Sequence, residues 1–394
     1  MAAVHRYPEA TISPDGARVA YVEQGPAADG ATSAPAFVSD TTGAGTSRRI
    51  ALGDPRSRAA LRHLAWSADG RRLAFLSDAE AAGQLQLYVV APGEGKPRRI
   101  TTVVGSLAHP IWSPDGRSVA VLFTENARQP TGPTAAKTPE VGVIEEDLDV
   151  QRIAVVDLAT RALRLVSPPG LYVHEYDWSR DGRLFVATAA PPPGDDGWYV
   201  SELLTVEAAS GAVRSLVKPG LQIGCPRLSP DRRSVAFVGG LMSDEGVLGG
   251  DVFVVPVEGG EARNLTSGRE ASPSFLAWLP SSRELVFAEY AEGGSGVGAV
   301  GLDGRPPRTL WRGAERLSGP AGLAGPALSL ARDGRTTAVV RQSFARPPEV
   351  WAGPVGEWTA ITRANARVEG CWGHAESLSW TSEGRLVQGW LVHP

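Results

Sequence analysis

Between Ile12 and Val340, hydrophobic and polar positions recur in one order: an apolar residue, usually Trp, a polar four-residue turn, then a short run of Val, Ala and Phe. The well-kept copies read I-S-P-D-G-A-R-V-A-Y-V from Ile12, W-S-A-D-G-R-R-L-A-F-L from Trp66, W-S-P-D-G-R-S-V-A-V-L from Trp112 and W-S-R-D-G-R-L-F-V-A-T from Trp178. Looser copies start at Leu228, Trp278 and Leu330. The first residues lie 54, 46, 66, 50, 50 and 52 positions apart, a period typical of propellers and solenoids. Within each turn Pro presets its backbone angle, Asp can bond its own backbone, and Gly supplies the positive φ that closes a short hairpin. The apolar run that follows is rich in β-branched and aromatic residues, as in a strand buried on both faces.

A second hairpin follows each first one. Leu85–Val90 connects through Gly93 and Gly95 to Arg98–Thr101, and Asp251–Val257 connects through Gly259 and Gly260 to Ala262–Thr266. Similar patterns span Ile153–Val166, Leu203–Leu216, Val297–Leu310 and Glu349–Ile361. Four strands per repeat make a blade, and seven blades close a ring. The expected fold is all-β: a seven-bladed propeller of four-stranded antiparallel blades over 1–361, with no strand exchanged between first and last blade. Residues 362–394 then form a linker and a β-hairpin.

The chain's 394 residues exceed the ~250–300 at which single cores stop growing, but a ring of sheets escapes that limit. A net charge of -4 and the lack of a long basic run argue against nucleic acid as a partner. No apolar stretch is long enough to span a membrane, and M-A-A-V-H-R-Y-P has no hydrophobic signal core, so a soluble cytoplasmic protein is expected. Two cysteines, Cys225 and Cys371, are too few for a disulfide framework and read as free thiols.

The irregular stretches carry the candidate chemistry. The widest gap holds a Pro/Thr/Ala-rich loop from Thr124 to about Glu140, followed by Glu145, Glu146, Asp147 and Asp149. That acidic run reads as a solvated edge or as a lip attracting a cationic substrate end. His63, His109 and His174 fall on the strands expected to line the channel. Three imidazoles can bind a metal, but no Cys or carboxylate has ligand spacing to them, so no metal and no cofactor is expected. Glu175, beside Tyr176 in V-H-E-Y-D-W, is the stronger channel-facing candidate; its ordinary role would be pairing with a nearby Arg. The chain has no G-x-S-x-G, no phosphate-binding loop and no H-E-x-x-H.

The tail carries the most specific signal. Thr362–Asn365 (T-R-A-N) and Glu383–Pro394 (E-G-R-L-V-Q-G-W-L-V-H-P), with Tyr172–Ser179 and Leu241–Thr266, make the chain resemble the prolyl oligopeptidase family of serine peptidases. The likeness is strongest to its acylaminoacyl-peptidase and dipeptidyl-aminopeptidase-like branch. In that family a propeller caps an α/β-hydrolase domain and admits short peptides, and Glu383 stands where the family has Asp. The resemblance implies that the catalytic Ser, Asp and His lie beyond Pro394. The chain alone is then expected to be inactive (a fragment, a truncated product or half of a split enzyme), and its final hairpin an orphan that would open the hydrolase domain. Short peptides in the channel and that domain are the expected partners. The substrate-gating candidates are Glu175, Tyr176, Glu145 and Glu146. Glu145 and Glu146 stand in a Val/Ile context unlike the family's aromatic and acidic motif, and Glu175 stands alone, which favours oligopeptidase or acylaminoacyl specificity over dipeptide release. The alternative is a stand-alone TolB-like propeller that binds a protein or peptide without chemistry.

Overall fold

In a computed structural model the chain folds into the seven expected blades. The structure describes residues 4–25, 34–43, 47–52, 59–127, 149–192, 195–218, 220–243, 246–320, 325–368 and 373–393, with backbone alone at 242–243 and 246–248. Inner strands are Arg6–Ile12, Leu61–Trp66, Gly105–Trp112, Tyr172–Trp178, Gln222–Leu228 and Ala271–Trp278 in blades 1 to 6. In blade 7 the inner strand is split: Arg316–Ser318 and Ser329–Leu330 both pair with Thr336–Ser343. Each blade's strands are consecutive in the chain, so blades 1 and 7 share no sheet.

The turns hold by a side-chain device in which the serine matters as much as Asp and Gly. Ser67 Oγ donates to Asp69 Oδ1 (2.5 Å), which also accepts Arg71 N–H (3.0 Å), while Ser67 Oγ accepts Arg72 N–H (2.9 Å). The same three bonds recur around Ser13, Ser113, Ser179 and Ser229. Gly70 takes φ +68, and where the looser copies lack Gly, Arg232 (φ 60) and Ser282 (φ 59) adopt the same left-handed backbone.

The core is divided among the blade interfaces. One apolar cluster fills each neighbouring pair, from Phe75 and Tyr88 between blades 1 and 2 to Tyr7, Tyr21 and Val340 between blades 7 and 1. The motif's Trp bridges the gap: Trp66 Nε1 donates to Thr11 O, Trp112 to Ala65 O and Trp278 to Arg227 O. Trp178 departs, donating to Gly182 O in its own turn (3.1 Å). Arg18 and Arg72 stack on Trp66 and Trp112 of the next blade, at 5.1 and 4.7 Å from the ring centres. At the rim, outer-strand arginines bond the first residue after the following blade's third strand: Arg98 to Leu158 O, Arg164 to Ala208 O, Arg214 to Val257 O and Arg263 to Leu302 O.

Ring closure uses the T-R-A-N segment. Asn365 is buried, and its amide binds His5 through both N–H (2.8 Å) and C=O (2.9 Å) while also donating to Pro348 O (2.7 Å). Glu349 accepts from Asn365 N–H (2.7 Å) and from Thr362 Oγ1, which itself accepts Val350 N–H (2.9 Å). Ser329 Oγ accepts Ile12 N–H (3.0 Å).

Antiparallel order gives the ring two unlike faces. The S-x-D-G turns lie on one, here the turn face. The chain arrives at and leaves every blade on the other, the exit face, where the second-to-third-strand connections also lie. The final hairpin, His374–Ser382 with Arg385–His393, follows from the exit face. Its two-residue turn has positive φ at both Glu383 (50) and Gly384 (77), the conformation that matches hairpin twist. A Cβ on Gly293, in the second-to-third-strand turn of blade 6, would collide with the Gln388 amide, so the hairpin rests on that face.

Candidate functional site in the central channel

The inner strands bulge where they line the channel. Register shifts interrupt their pairing in blades 1 to 6, and His63, His109 and Cys225 take positive φ there (56, 47 and 55). A bulge frees backbone N–H groups, and a carboxylate from the preceding blade claims them. Glu9 accepts His63 N–H (2.8 Å) and Leu64 N–H (2.6 Å). Glu175 accepts Cys225 N–H (2.7 Å), and Asp177 accepts Leu228 N–H (3.0 Å). Glu9 and Glu175 each stand three residues before the first motif residue of their blade, so Glu175 repeats the bond that Glu9 makes.

Arg227 is the central cation of this wall, donating to Leu276 O (3.2 Å) and Pro226 O (2.8 Å). Burial raises the Glu175 carboxyl above its ordinary range, opposed by the Arg227 charge and the Cys225 N–H. Asp177 is likewise raised by burial against the pull of Arg227. Glu175 keeps some accessible surface although protein surrounds it, as befits a group on the wall of a narrow channel. Burial, reinforced by Glu175, pushes the Cys225 thiol up to about 12, so it is no nucleophile at neutral pH.

His63 and His109 meet edge to face with ring centres 4.8 Å apart. Burial, then the His109 ring, pushes His63 down to about 3; burial, then Arg227, pushes His109 down to about 4. Blades 3 and 5 are not neighbours, so the action of Arg227 on His109 runs through the channel. His174 does not join this pair. It lies four residues before its motif Trp rather than three, and strand alternation turns it into the wall against Tyr172, at 4.9 Å. Counting back from Trp66, Trp112 and Trp178 would have separated it in the sequence. Among the described residues no group of three or more His, Cys, Asp or Glu could hold a metal ion.

Tyr176 is also buried in the wall, between blades 3 and 4, its hydroxyl donating to His109 O (2.5 Å). Its side chain packs in the wall while that of Glu175 faces the channel, since neighbouring residues on one strand point to opposite faces. Glu145, Glu146 and Cys371 lie outside the described residues. Sequence reasoning missed Asp177 and Arg227. A charged residue immediately before the motif's first residue was the available signal.

No family model matches the chain. It is 26% identical over 191 residues to an uncharacterized peptidase, YuxL, of Bacillus subtilis, covering 48% of this chain and 23% of that protein. It is 23% identical over 240 residues to the Tol-Pal system protein TolB of Francisella tularensis, covering 61% and 48%. The chain thus spans less than half the length of these curated relatives. Among solved structures, the acylaminoacyl peptidase of Pyrococcus horikoshii superposes with a TM-score of 0.71 at 11% identity, covering 99% of this chain and 58% of that one. The β-propeller domain of the trilobed protease of Pyrococcus furiosus, described as having an open velcro topology, superposes at 0.65 with 13% identity, covering 93% and 99%. Fold and channel define a seven-bladed propeller whose ring closes without a shared sheet. Within that class the chain is similar both to the peptidase YuxL and to TolB, and it shares its fold with the propellers of the two peptidase structures.

Proposed function

We propose that the chain is the substrate-gating propeller of a serine peptidase acting on short peptides in the oligopeptidase or acylaminoacyl manner. One observation carries this reading. Among the described residues, the exposed large apolar side chains gather on the exit face: Val104, Val200, Leu221 and Leu241 beside the ring, and Leu386 and Trp390 on the hairpin; Val213 is the exception. Exposed apolar surface concentrated on one face marks an interaction site, and the hairpin is the element that would open an α/β-hydrolase domain there. On this reading 1–361 form the propeller and 362–394 the linker and first hairpin of that domain, with Thr362 and Asn365 serving both. Glu175 is the channel group offered to a peptide's cationic amino end, and Glu145 and Glu146 would extend that acidic character. A stand-alone binding propeller would have no use for the hairpin's apolar surface.

The test is hydrolysis of acetyl-amino-acid p-nitroanilides. The 394-residue chain should show none, whereas a polypeptide that continues past Pro394 into a domain bearing G-x-S-x-G should turn them over. Turnover by the chain alone would overturn the reading.

A further inference from the structure

The second and third strands of blade 4, Leu184–Ala190 and Glu202–Glu207, are joined on the exit face through Asp195–Val200, the single helical segment among the described residues. This segment packs on the inner strands of blades 4 and 5. Its Trp198 has no exposed surface, and the ring belongs not to the cluster between blades 4 and 5 but to the one between blades 5 and 6, with Cys225 and Val238. A residue of blade 4 reaches that cluster only by crossing blade 5. The outer route is closed, because the second and third strands of blade 5 continue beyond the pairing of Gln222 with Gly240, as far as Ser243 and Gly246, and stand above the exit face. The indole therefore passes over the inner strand, on the channel side, above the bulge that holds Cys225.

The seat is tight but incompletely bonded. A Cβ on Gly197 would come within 2.8 Å of the Ala190 Cβ, so the segment lies directly on the end of its own blade's second strand. Among the described residues the one side-chain hydrogen bond made to the segment comes from its own flank, Ser201 Oγ donating to Gly197 O (3.1 Å). The Trp198 indole N–H is buried and has no acceptor among the described residues, whereas water would satisfy it if the ring left its seat. Tyr199, edge to face on Trp198 at 5.4 Å, and Val200 are exposed. Apolar burial thus holds the segment down while an orphan donor works against it. Local opening is drawn from such weakly bonded elements.

We propose that Asp195–Val200 is a plug at the exit-face mouth of the channel, seated by Trp198, and that it lifts as a unit to let a short peptide pass. Seated, it covers the stretch of wall where Glu175 accepts the Cys225 N–H (2.7 Å); lifted, it opens that stretch to the exit face. The choice of a peptide rests on the peptidase reading; the plug itself does not. Passage is then limited by the opening of one short segment and not only by the width of the ring.

The experiment is hydrogen exchange of the 394-residue chain, read by mass spectrometry, together with alkylation of Cys225 in a Cys371→Ser background by N-ethylmaleimide and by a maleimide carrying a short alanine peptide. The plug segment should exchange roughly tenfold or more faster than the strands Leu184–Ala190 and Glu202–Glu207 that flank it, with little dependence on low urea. Trp198→Ala should raise that exchange further and speed alkylation by both reagents by a similar factor, with exchange in blades 1 to 3 unchanged. Trp198→Phe, which keeps an aromatic ring in the seat, should alkylate close to the parent rate. Exchange of the segment only together with its flanking strands, alkylation unchanged in Trp198→Ala, or acceleration spread through every blade would overturn the plug. Faster alkylation by N-ethylmaleimide alone would mark an opening too small for a chain and overturn the peptide assignment. No hydrolysis is read, so failure here leaves the peptidase reading standing, and failure of that reading leaves the exchange measurement interpretable.

Discussion

Asn365 holds His5 by both backbone groups, its Oδ1 accepting the N–H and its Nδ2 donating to the carbonyl, 360 residues apart in sequence. This amide does for the ring what a shared strand would otherwise do, because blades 1 and 7 have no ladder in common. Asn365→Ala strands the His5 N–H and C=O and the Pro348 carbonyl, and should cost about 2–4 kcal/mol at ~1 kcal/mol or more per stranded buried group. Urea unfolding should show the loss, and limited proteolysis should release the N-terminal strand first.

The His63–His109 pair sets an acid sensitivity. Both are held neutral, at about 3 and about 4, against an ordinary 6.5. From about pH 6.5 down to 4 the unfolded chain binds more protons than the folded one, so their contribution to stability falls as pH falls. The raised Glu175 and Asp177 carboxyls act in the opposite sense above their ordinary range, so the informative quantity is a difference. Unfolding free energy of His63→Phe/His109→Phe against the parent should converge as pH drops toward 4. Imidazole proton shifts should show neither ring titrating above pH 5.

Arg232 occupies a left-handed backbone where better-kept repeats have glycine. Arg232→Gly should stabilise by up to ~1 kcal/mol by removing the Cβ cost, less a few tenths for the exposed ion pair with Asp181 (2.7 Å). Asp69→Ala, removing the acceptor of Ser67 and Arg71, should destabilise by about 1–2 kcal/mol. Thermal melts of the two variants should move in opposite directions.

Glu175 separates two roles by substitution. Glu175→Ala strands the Cys225 N–H and should cost about 1–3 kcal/mol of stability; Glu175→Gln keeps an acceptor in place and should fold nearly as the parent does. Should the charge serve a peptide's amino end, the Gln variant loses affinity for peptides with a free amino terminus and keeps it for acetylated ones. Unchanged affinity would leave Glu175 as a blade-to-blade bond alone.

Trp390→Ser and Leu386→Ser touch exposed surface and should shift the melting temperature of the chain little. In a polypeptide carrying the hydrolase domain they should lower the melting temperature and the turnover together. Sedimentation of the isolated chain should also show less self-association in the variants.

Much of the fold was legible because Gly, Pro and Asp act locally, and a four-residue turn needs no knowledge of what lies across the ring. Blade 7 was harder: Leu330 marks only the second half of its inner strand, and Arg316–Ser318 carries no turn signal. The serine of S-x-D-G was legible in its recurrence but not in its bonds, which reach five residues ahead to close the hairpin. The site was less legible. Glu175 stands out by composition, yet its partner Cys225 is fifty residues on, and only the closed ring brings them together. Tyr176 and His174 lie in the wall rather than on the channel side, because adjacency in sequence is opposition across a strand.

The rim joints have a further consequence. Arg98, Arg164, Arg214 and Arg263 each reach the same acceptor position of the blade ahead, and all in the same direction. A joint of this kind does not distinguish one successor from another. Removal or duplication of a middle blade would leave every remaining arginine an equivalent carbonyl to bond. The number of blades is therefore set by the tilt of the packed sheets and by the distance over which Asn365 can still find His5, and repeat expansion in such a chain meets its limit only at that seam.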